Sequence, residues 1–148
     1  TGKTNFLSRY VYGTFTEEFQ TTIGVDFFIK RLSYKDQPVV LQFWDTAGQE
    51  RFRGHFPSYM KNARGVFIFY SIDNRASFEQ VREWHRMTRE AVGEVPTIMI
   101  VGMKSDLEYN REVSFEEAKS LADECEAFFM EASAKTGSNL KEALYLML

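Results

Sequence analysis

Several short polar motifs along the chain carry residue types suited to binding a phosphorylated ligand. The first is Gly2-Lys3-Thr4, which heads a short helical pattern. These residue types end the phosphate-binding loop G-x-x-x-x-G-K-[ST]. In that loop backbone N–H groups meet phosphate, the lysine adds positive charge and the hydroxyl binds Mg²⁺. Only the last part of the loop motif is present, and an ordinary helix start is the alternative.

The second motif runs from Asp45 to Glu50 and directly follows an apolar strand pattern. An aspartate at a strand end is well placed to reach Mg²⁺ through water, because this ion keeps several waters and takes few carboxylates. Gly48 lets the backbone approach a γ-phosphate, and the Gln49 amide can orient an attacking water. A loop with a capping aspartate is the alternative. The strand-then-aspartate order favours a site, because ligands of α/β sheets bind at the carboxyl edge.

Two further triplets, Lys104-Ser105-Asp106 and Ser133-Ala134-Lys135, also follow apolar strand patterns. We therefore expect them at the same sheet edge as the first two motifs. The Asp106 carboxylate can accept two N–H bonds from a guanine edge, and a backbone N–H within 133–135 can donate to the guanine oxygen. Taken alone, each triplet is more typical of a turn.

Composition excludes several other classes of protein. The chain has 148 residues, of which 44% are hydrophobic, which is typical of one globular domain with its own core. There are 18 basic and 21 acidic residues, a balance that gives no electrostatic case for nucleic-acid binding. The single cysteine, Cys125, cannot form an internal disulfide. No apolar run approaches the roughly 18 residues of a membrane-spanning helix.

The patterns around the motifs predict an α/β fold with a mostly parallel sheet, because strands alternate with helices after an initial hairpin. The hairpin is predicted from strands over 25–34 and 38–45. Apolar runs that suit strands covered on both faces occupy 66–72, 97–101 and 127–130. Helical spacing covers 3–12, 76–92, 114–125 and 139–148. Ser114 begins a capping box, and Ser138 or Asn139 is expected to cap the last helix.

In this order the motifs resemble those of the Ras superfamily of small GTPases, over essentially the whole chain. The most specific stretch is 44–52, Trp-Asp-Thr-Ala-Gly-Gln-Glu-Arg-Phe, and 22–27, Thr-Ile-Gly-Val-Asp-Phe, resembles the Rab branch. The resemblance implies a three-layer αβα P-loop NTPase fold with a mostly parallel six-stranded sheet and one antiparallel edge strand. Residues 1–148 would form one G domain truncated at both ends. The first strand and the start of the phosphate loop would precede Thr1, which would leave a gap in the middle of the sheet.

The resemblance also implies GTP or GDP and Mg²⁺ as cofactors, and a role for each matching residue. Gln49 and Lys3 would be catalytic. The nucleotide-binding residues would be Gly2, Lys3, Thr4, Phe15, Thr22, Gly48, Lys104, Asp106, Ser133, Ala134 and Lys135. Mg²⁺ would be held by Thr4, Thr22 and, through water, Asp45. Phe27, Trp44 and Tyr59 align with the aromatic triad that Rab proteins present to effectors, with core packing as the alternative.

The implied function is a switch that hydrolyses GTP to GDP and regulates vesicle trafficking at the cytosolic face of an intracellular membrane. Exchange factors, activating proteins and effectors would be its partners, and a lipidated tail beyond Leu148 would be its only membrane contact. Met103 departs from the family, which has Asn there, and Pro57 and Tyr59–Ala63 depart from the usual Rab sequence. A Rab-like interaction module with weak nucleotide binding is therefore the alternative. A P-loop kinase of small metabolites has no support, because no lid or second substrate site is evident.

Overall fold

The computed structural model describes residues 1–17, 25–46, 60–92, 94 and 96–148. Within them a helix precedes an antiparallel hairpin, and strands then alternate with helices. The strands are β1 (Val25–Tyr34), β2 (Gln37–Thr46), β3 (Gly65–Ser71), β4 (Thr97–Met103) and β5 (Phe128–Ala132). The helices are α1 (Lys3–Tyr12), α2 (Arg75–Glu79), α3 (Val81–Ala91), α4 (Phe115–Glu124) and α5 (Leu140–Met147), with a 3₁₀ turn at Glu108–Asn110. The predicted α/β fold is confirmed.

The described strands form two sheets. Strands β1 and β2 pair in antiparallel fashion, whereas β3, β4 and β5 are parallel with β4 in the centre. Their register places Ser71, Met103 and Ala132 side by side at the carboxyl edge, so the loops that follow these strands start next to one another. Strands β2 and β3 are not neighbours in the hydrogen-bonded order. The expected mostly parallel sheet is therefore seen as a three-stranded parallel part and a separate antiparallel pair.

Apolar clusters cover both faces of the parallel sheet, because these short strands are apolar at almost every position. One face packs against α2, α3 and α4 through a cluster that includes Ile68, Tyr70, Ile100, Phe78, Val81 and Leu121. The other face packs against α1 and α5 through a cluster that includes Met99, Val101, Phe6, Leu7, Leu140 and Leu144. Helices on both faces give the three-layer architecture expected from the sequence.

Helix α1 links the two sheets. The Phe6 ring is fully buried, and its centroid lies 5.2 Å from that of Phe69 and 5.8 Å from that of Phe67, both on β3. One turn later, the Tyr10 ring meets Phe43 of β2 at 6.1 Å. Burying an aromatic or aliphatic side chain of this size contributes about 1.5–3 kcal/mol. This packing fixes the N-terminus of α1, with its Gly2-Lys3-Thr4 motif, against both sheets.

The strand that ends at Met103 requires a glycine just before it. A Cβ atom on Gly102 would lie 2.5 Å from the Tyr70 hydroxyl oxygen and 2.7 Å from its Cζ. Tyr70 is the β3 residue opposite Gly102 and is fully buried, so its ring crosses β4 at this point. A side chain at 102 would push the ring away and disturb the end of β4, just before the Lys104-Ser105-Asp106 motif.

Two details differ from the sequence prediction. The helix expected over 76–92 is divided at Gln80 into α2 and α3, with no glycine or proline there to signal the break. Asn139 precedes α5 but does not cap it, because its backbone is left-handed (φ 61°) and its side chain donates to the Glu131 carbonyl at 2.8 Å. The cap expected at Ser114 is present, since its hydroxyl accepts from the Glu117 N–H at 3.1 Å.

Candidate functional site

The first and second motifs meet where α1 begins and β2 ends. The Thr4 hydroxyl donates a 2.6 Å hydrogen bond to Oδ2 of Asp45. Asp45 is only 2% exposed, and its other oxygen, Oδ1, is buried without a hydrogen-bond partner among the described residues. A buried carboxylate oxygen without a partner is costly, and a bound cation or its water would satisfy it. The pair therefore supplies a hydroxyl and a carboxylate at one point.

Without a ligand, burial disfavours the charged forms of Asp45 and Lys3. Burial raises the pKa of Asp45, although the Thr4 hydrogen bond and the nearby Lys3 charge act in the opposite direction. Burial likewise lowers the pKa of Lys3, against the attraction of Asp45. A cation beside Asp45 and an anion beside Lys3 would each favour the charged form. The site is therefore electrostatically suited to a metal–phosphate pair.

The start of α1 is suited to an anion for a second reason. Gly2 precedes the helix in a left-handed conformation (φ 89°), which favours glycine. No side-chain cap is present among the described residues, and the first turn carries no acidic residue. The unpaired N–H groups of a helix N-terminus and its positive dipole end attract phosphate. Backbone N–H groups, Lys3 and Thr4 thus lie together at the start of α1.

The third and fourth motifs meet at the ends of β4 and β5. The Ser133 hydroxyl donates to Oδ1 of Asp106 at 2.6 Å and accepts from the Thr136 N–H at 3.1 Å. Ser133 is fully buried, and the Ser105 N–H donates to the Ala132 carbonyl at 3.1 Å. These bonds fix the Asp106 carboxylate and leave it with unused acceptor capacity for an N–H edge.

An ion pair farther along fixes the loop that carries Asp106. Arg111 donates through both terminal nitrogens to the two oxygens of Glu131, at 2.7 and 2.8 Å. Both side chains are largely buried, and fork-to-fork geometry makes such a pair strong and specific. The pair joins the end of the 104–111 loop to β5.

Two carboxylates that the sequence interpretation missed contact the lysines of the third and fourth motifs. Asp73 pairs with Lys104 at 3.2 Å, and Glu17 pairs with Lys135 at 2.9 Å. No sequence pattern could have identified these pairs, because the partners lie far apart in the chain and are brought together only by the loops. Phe15 precedes Glu17 by two residues and packs, half-buried, against the cluster that contains Met103.

The sequence model of the Ras family matches residues 1–148. The chain belongs to the Ras family. Ras-family proteins are small GTPase switches that bind guanine nucleotide and Mg²⁺ and act with regulators and effectors. This agrees with the arrangement of the site, which has a phosphate end formed by Gly2–Thr4 and Asp45 and a base end formed by Lys104–Asp106 and Ser133–Lys135.

The residues of this Ras-family chain fit Mg²⁺. The ion needs few protein carboxylates, and Asp45 offers a buried oxygen beside the Thr4 hydroxyl. Within the described ranges no group of three or more His, Cys, Asp or Glu side chains forms a different metal site. Thr22, the other implied ligand, lies outside the described residues, as do Gly48, Gln49 and Tyr59.

Met103 occupies the family's asparagine position and is 1% exposed. Its side chain belongs to the cluster that contains Val101, Ala132 and Ala134, and its Cε would lie 3.9 Å from a Cβ on Gly2. The thioether therefore lies between the phosphate end and the base end of the site. It has no donor and is at best a weak acceptor, so it links the two ends by packing.

The hairpin carries two of the three aromatic residues that are candidate partner contacts, Phe27 and Trp44. Phe27 and Trp44 face each other across β1 and β2, with ring centroids 4.8 Å apart. They are 46% and 57% exposed, so the alternative of core packing is wrong for both. None of the helices in the described part of the chain is long and apolar enough to cross a membrane.

Proposed function

We propose that the protein is a GTP-hydrolysing switch of Rab type that regulates intracellular vesicle transport. The observation that carries the GTPase part is the Thr4–Asp45 pair at the N-terminus of α1, in which Oδ1 of Asp45 is buried without a partner among the described residues. A cation bound beside this oxygen, together with an anion at the N-terminus of α1, would satisfy both groups.

Each residue at the phosphate end then has a chemical task. Lys3 and the N–H groups of α1 neutralise charge on the β- and γ-phosphates, and they act most strongly as charge builds up in the transition state. Thr4, Thr22 and, through water, Asp45 would hold Mg²⁺, which would supply further neutralisation of the phosphates when bound. Gln49 orients the water that attacks the γ-phosphate, and GDP leaves. We expect an activating protein to supply an arginine.

At the base end Asp106 accepts N–H groups of guanine, and Ser133 holds its carboxylate in place through the 2.6 Å bond. Backbone N–H groups near Ala134 donate to the guanine oxygen, while Lys104, Lys135 and Phe15 flank the base. Guanine is selected over adenine because the hydrogen-bonding edge of adenine does not match these donors and acceptors. Bound adenine would leave polar groups of the site buried and unsatisfied.

The Rab-type role is supported by the 22–27 sequence and by the exposed Phe27–Trp44 pair. Large exposed aromatic side chains that contact each other favour a partner-binding surface. We propose that effectors contact this pair together with Tyr59 in the GTP state. A lipidated tail would place the protein on the cytosolic face of an intracellular membrane.

A second candidate function is an interaction module that keeps the fold but binds nucleotide weakly. The observation that favours it is Met103, which is buried where an asparagine would link the base to the phosphate loop. The intact Lys3, Thr4 and Asp45 cluster favours the switch, because a module without nucleotide would retain a buried, unsatisfied carboxylate with no benefit.

The test compares the full chain with Gln49→Leu. We expect both proteins to bind fluorescent GDP with the same affinity, since Gln49 does not contact the base. In single-turnover assays with an activating protein, we expect Gln49→Leu to release phosphate roughly 100-fold more slowly, the scale of losing one transition-state hydrogen bond.

Imaging of the same two proteins in cells tests the transport part. We expect the hydrolysis-deficient variant to accumulate on one class of intracellular membrane. Absent GDP binding would favour the interaction module, and equal phosphate release would remove Gln49 from the mechanism. Diffuse distribution of both proteins would contradict the Rab-type role while leaving GTPase activity intact.

A further inference from the structure

Asp73 lies in the turn after β3, at the sheet edge where the site is built. Its two carboxylate oxygens lie 3.3 and 3.2 Å from the Lys104 ammonium, and Oδ1 also accepts a hydrogen bond from the Ser71 hydroxyl. The side chain is 18% exposed, so solvent reaches it only in part. This turn therefore places the negative charge of Asp73 next to Lys104.

Two further features hold this charge in place. The Asn74 N–H donates to the Ser71 carbonyl at 3.1 Å, which closes the turn. Burial alone would raise the pKa of Asp73, but the hydrogen bonds from Ser71 and Lys104 outweigh burial and lower it. The carboxylate is therefore ionised across the physiological range and stays paired with Lys104.

Lys104 is constrained from its own side as well. Its backbone is left-handed (φ 64°), a conformation that non-glycine residues seldom adopt, and the Leu107 N–H donates to its carbonyl at 2.8 Å. Two residues on, Asp106 contacts Ser133 on the β5 side. Lys104 and Asp106 thus contact different neighbours, one at the end of β3 and one at the end of β5.

We propose that Asp73 is a positioning residue that holds the Lys104 side chain across the base end of the site. The inference rests on the proposed nucleotide-binding function. With its charge matched by Asp73, Lys104 contributes to binding through the placement of its methylene chain beside the base. Attraction to the phosphates is then a small part of its role, so the effect of Asp73 is the same for GDP and for GTP.

The direction in which Asp73→Asn changes the rate of nucleotide release distinguishes positioning of Lys104 from a simple effect of the Asp73 charge. Asp73→Asn removes a negative charge near an anionic ligand, and electrostatics alone would slow nucleotide release. If Asp73 instead positions Lys104, its loss frees the lysine side chain and nucleotide release becomes faster. We expect the release of fluorescent GDP and of a non-hydrolysable GTP analogue to become faster by the same factor, about three- to fivefold, the upper range for a partly exposed ion pair.

The rates of nucleotide release from further variants distinguish positioning of Lys104 from a general structural role of Asp73. Asp73→Glu keeps the charge and is expected to restore most of the slow release. Asp123→Asn removes another Asp–Lys pair, with Lys119 on α4, and is expected to leave release unchanged. In a Lys104→Gln background, Asp73→Asn is expected to have no further effect.

Slower or unchanged release in Asp73→Asn would overturn the inference. So would acceleration that persists in the Lys104→Gln background, because Asp73 would then act through something other than Lys104. Failure of the unmodified chain to bind GDP at all would overturn the proposed function and this inference with it. GDP binding with an unaffected Asp73→Asn variant would overturn this inference alone.

Discussion

At the phosphate end of the site a buried carboxylate retains an oxygen that no described residue contacts, whereas at the base end the carboxylates are already bonded to other side chains. Asp45 contacts Thr4 through one oxygen only, and burial disfavours its charge. Asp106 is held by Ser133, and Glu131 is held by Arg111. One end is therefore completed by its ligand, and the other is assembled before the ligand arrives.

The difference indicates where binding free energy is gained. A buried polar atom without a partner costs about 1–3 kcal/mol, which a ligand at the phosphate end recovers. At the base end the protein's own hydrogen bonds have already fixed the geometry, so the ligand gains specificity with little reorganisation. Variants at the phosphate end should therefore have larger effects than variants at the base end.

The largest effect is expected from Asp45→Asn. The amide keeps the size of the side chain and can still accept from Thr4, but it removes the charge that we propose holds Mg²⁺. We expect GDP affinity in the presence of Mg²⁺ to fall roughly 100-fold, the scale of several kcal/mol of charge stabilisation by a bound cation. Titration of fluorescent GDP with and without Mg²⁺ measures this loss.

The same substitution should not destabilise the nucleotide-free protein. Since burial raises the pKa of Asp45, the ionised carboxylate is an unfavourable part of the ligand-free fold, and a neutral amide removes that cost. Thermal unfolding without nucleotide checks this. Asp26→Asn is the matched control, because Asp26 lies opposite Asp45 on β1 but is exposed. Retained Mg²⁺ dependence in Asp45→Asn would contradict the metal assignment.

Met103→Asn tests the connection between the two ends. An asparagine can donate and accept where the thioether cannot, so we expect fluorescent GDP to dissociate about tenfold more slowly, the scale of one or two net hydrogen bonds. Because position 103 is 1% exposed, the amide should also lower the thermal stability of the nucleotide-free protein.

Met103→Leu is the control for this variant, since it keeps an apolar side chain of similar size and should release GDP at the unmodified rate. If asparagine slows release less than about twofold, packing has replaced the family's hydrogen bonds here. Packing as well as hydrogen bonding would then assemble the base end before nucleotide binds.

Much of the fold follows from hydrophobic pattern and local hydrogen bonding. Apolar runs predicted β3, β4 and β5, and the Ser114 cap predicted the start of α4, because both depend on residues close in sequence. The family resemblance implied that Thr4 and Asp45 hold the same Mg²⁺ ion, but it did not predict the hydrogen bond between them. The break at Gln80 and the left-handed backbone of Lys104 had no local signal, since neither position carries glycine or proline.

The Asp73–Lys104 and Glu17–Lys135 pairs were not predictable for another reason. Each joins side chains on loops whose relative position is set by strand packing, and charged residues in polar loops are common. Composition and spacing cannot distinguish such a pair from two solvated charges. Short motifs therefore predict candidate ligand-binding groups, whereas the side chains that hold those groups have no comparable signal in the sequence.

The smallest effect is expected at the Glu17–Lys135 pair. Both side chains are more than half exposed, and such pairs contribute little. We expect Glu17→Gln to speed GDP release by about twofold at low ionic strength, and the difference to vanish near 1 M salt, where the screening length is only about 3 Å.

Exchanging the charges, with Glu17→Lys and Lys135→Glu together, should release GDP more slowly than Lys135→Glu alone, because the exchange restores the attraction. Stopped-flow measurements at both salt concentrations check these rates. A large effect of Glu17→Gln that persists in high salt would mean that the base end depends on this contact for its shape, and the contrast between the two ends would then fail.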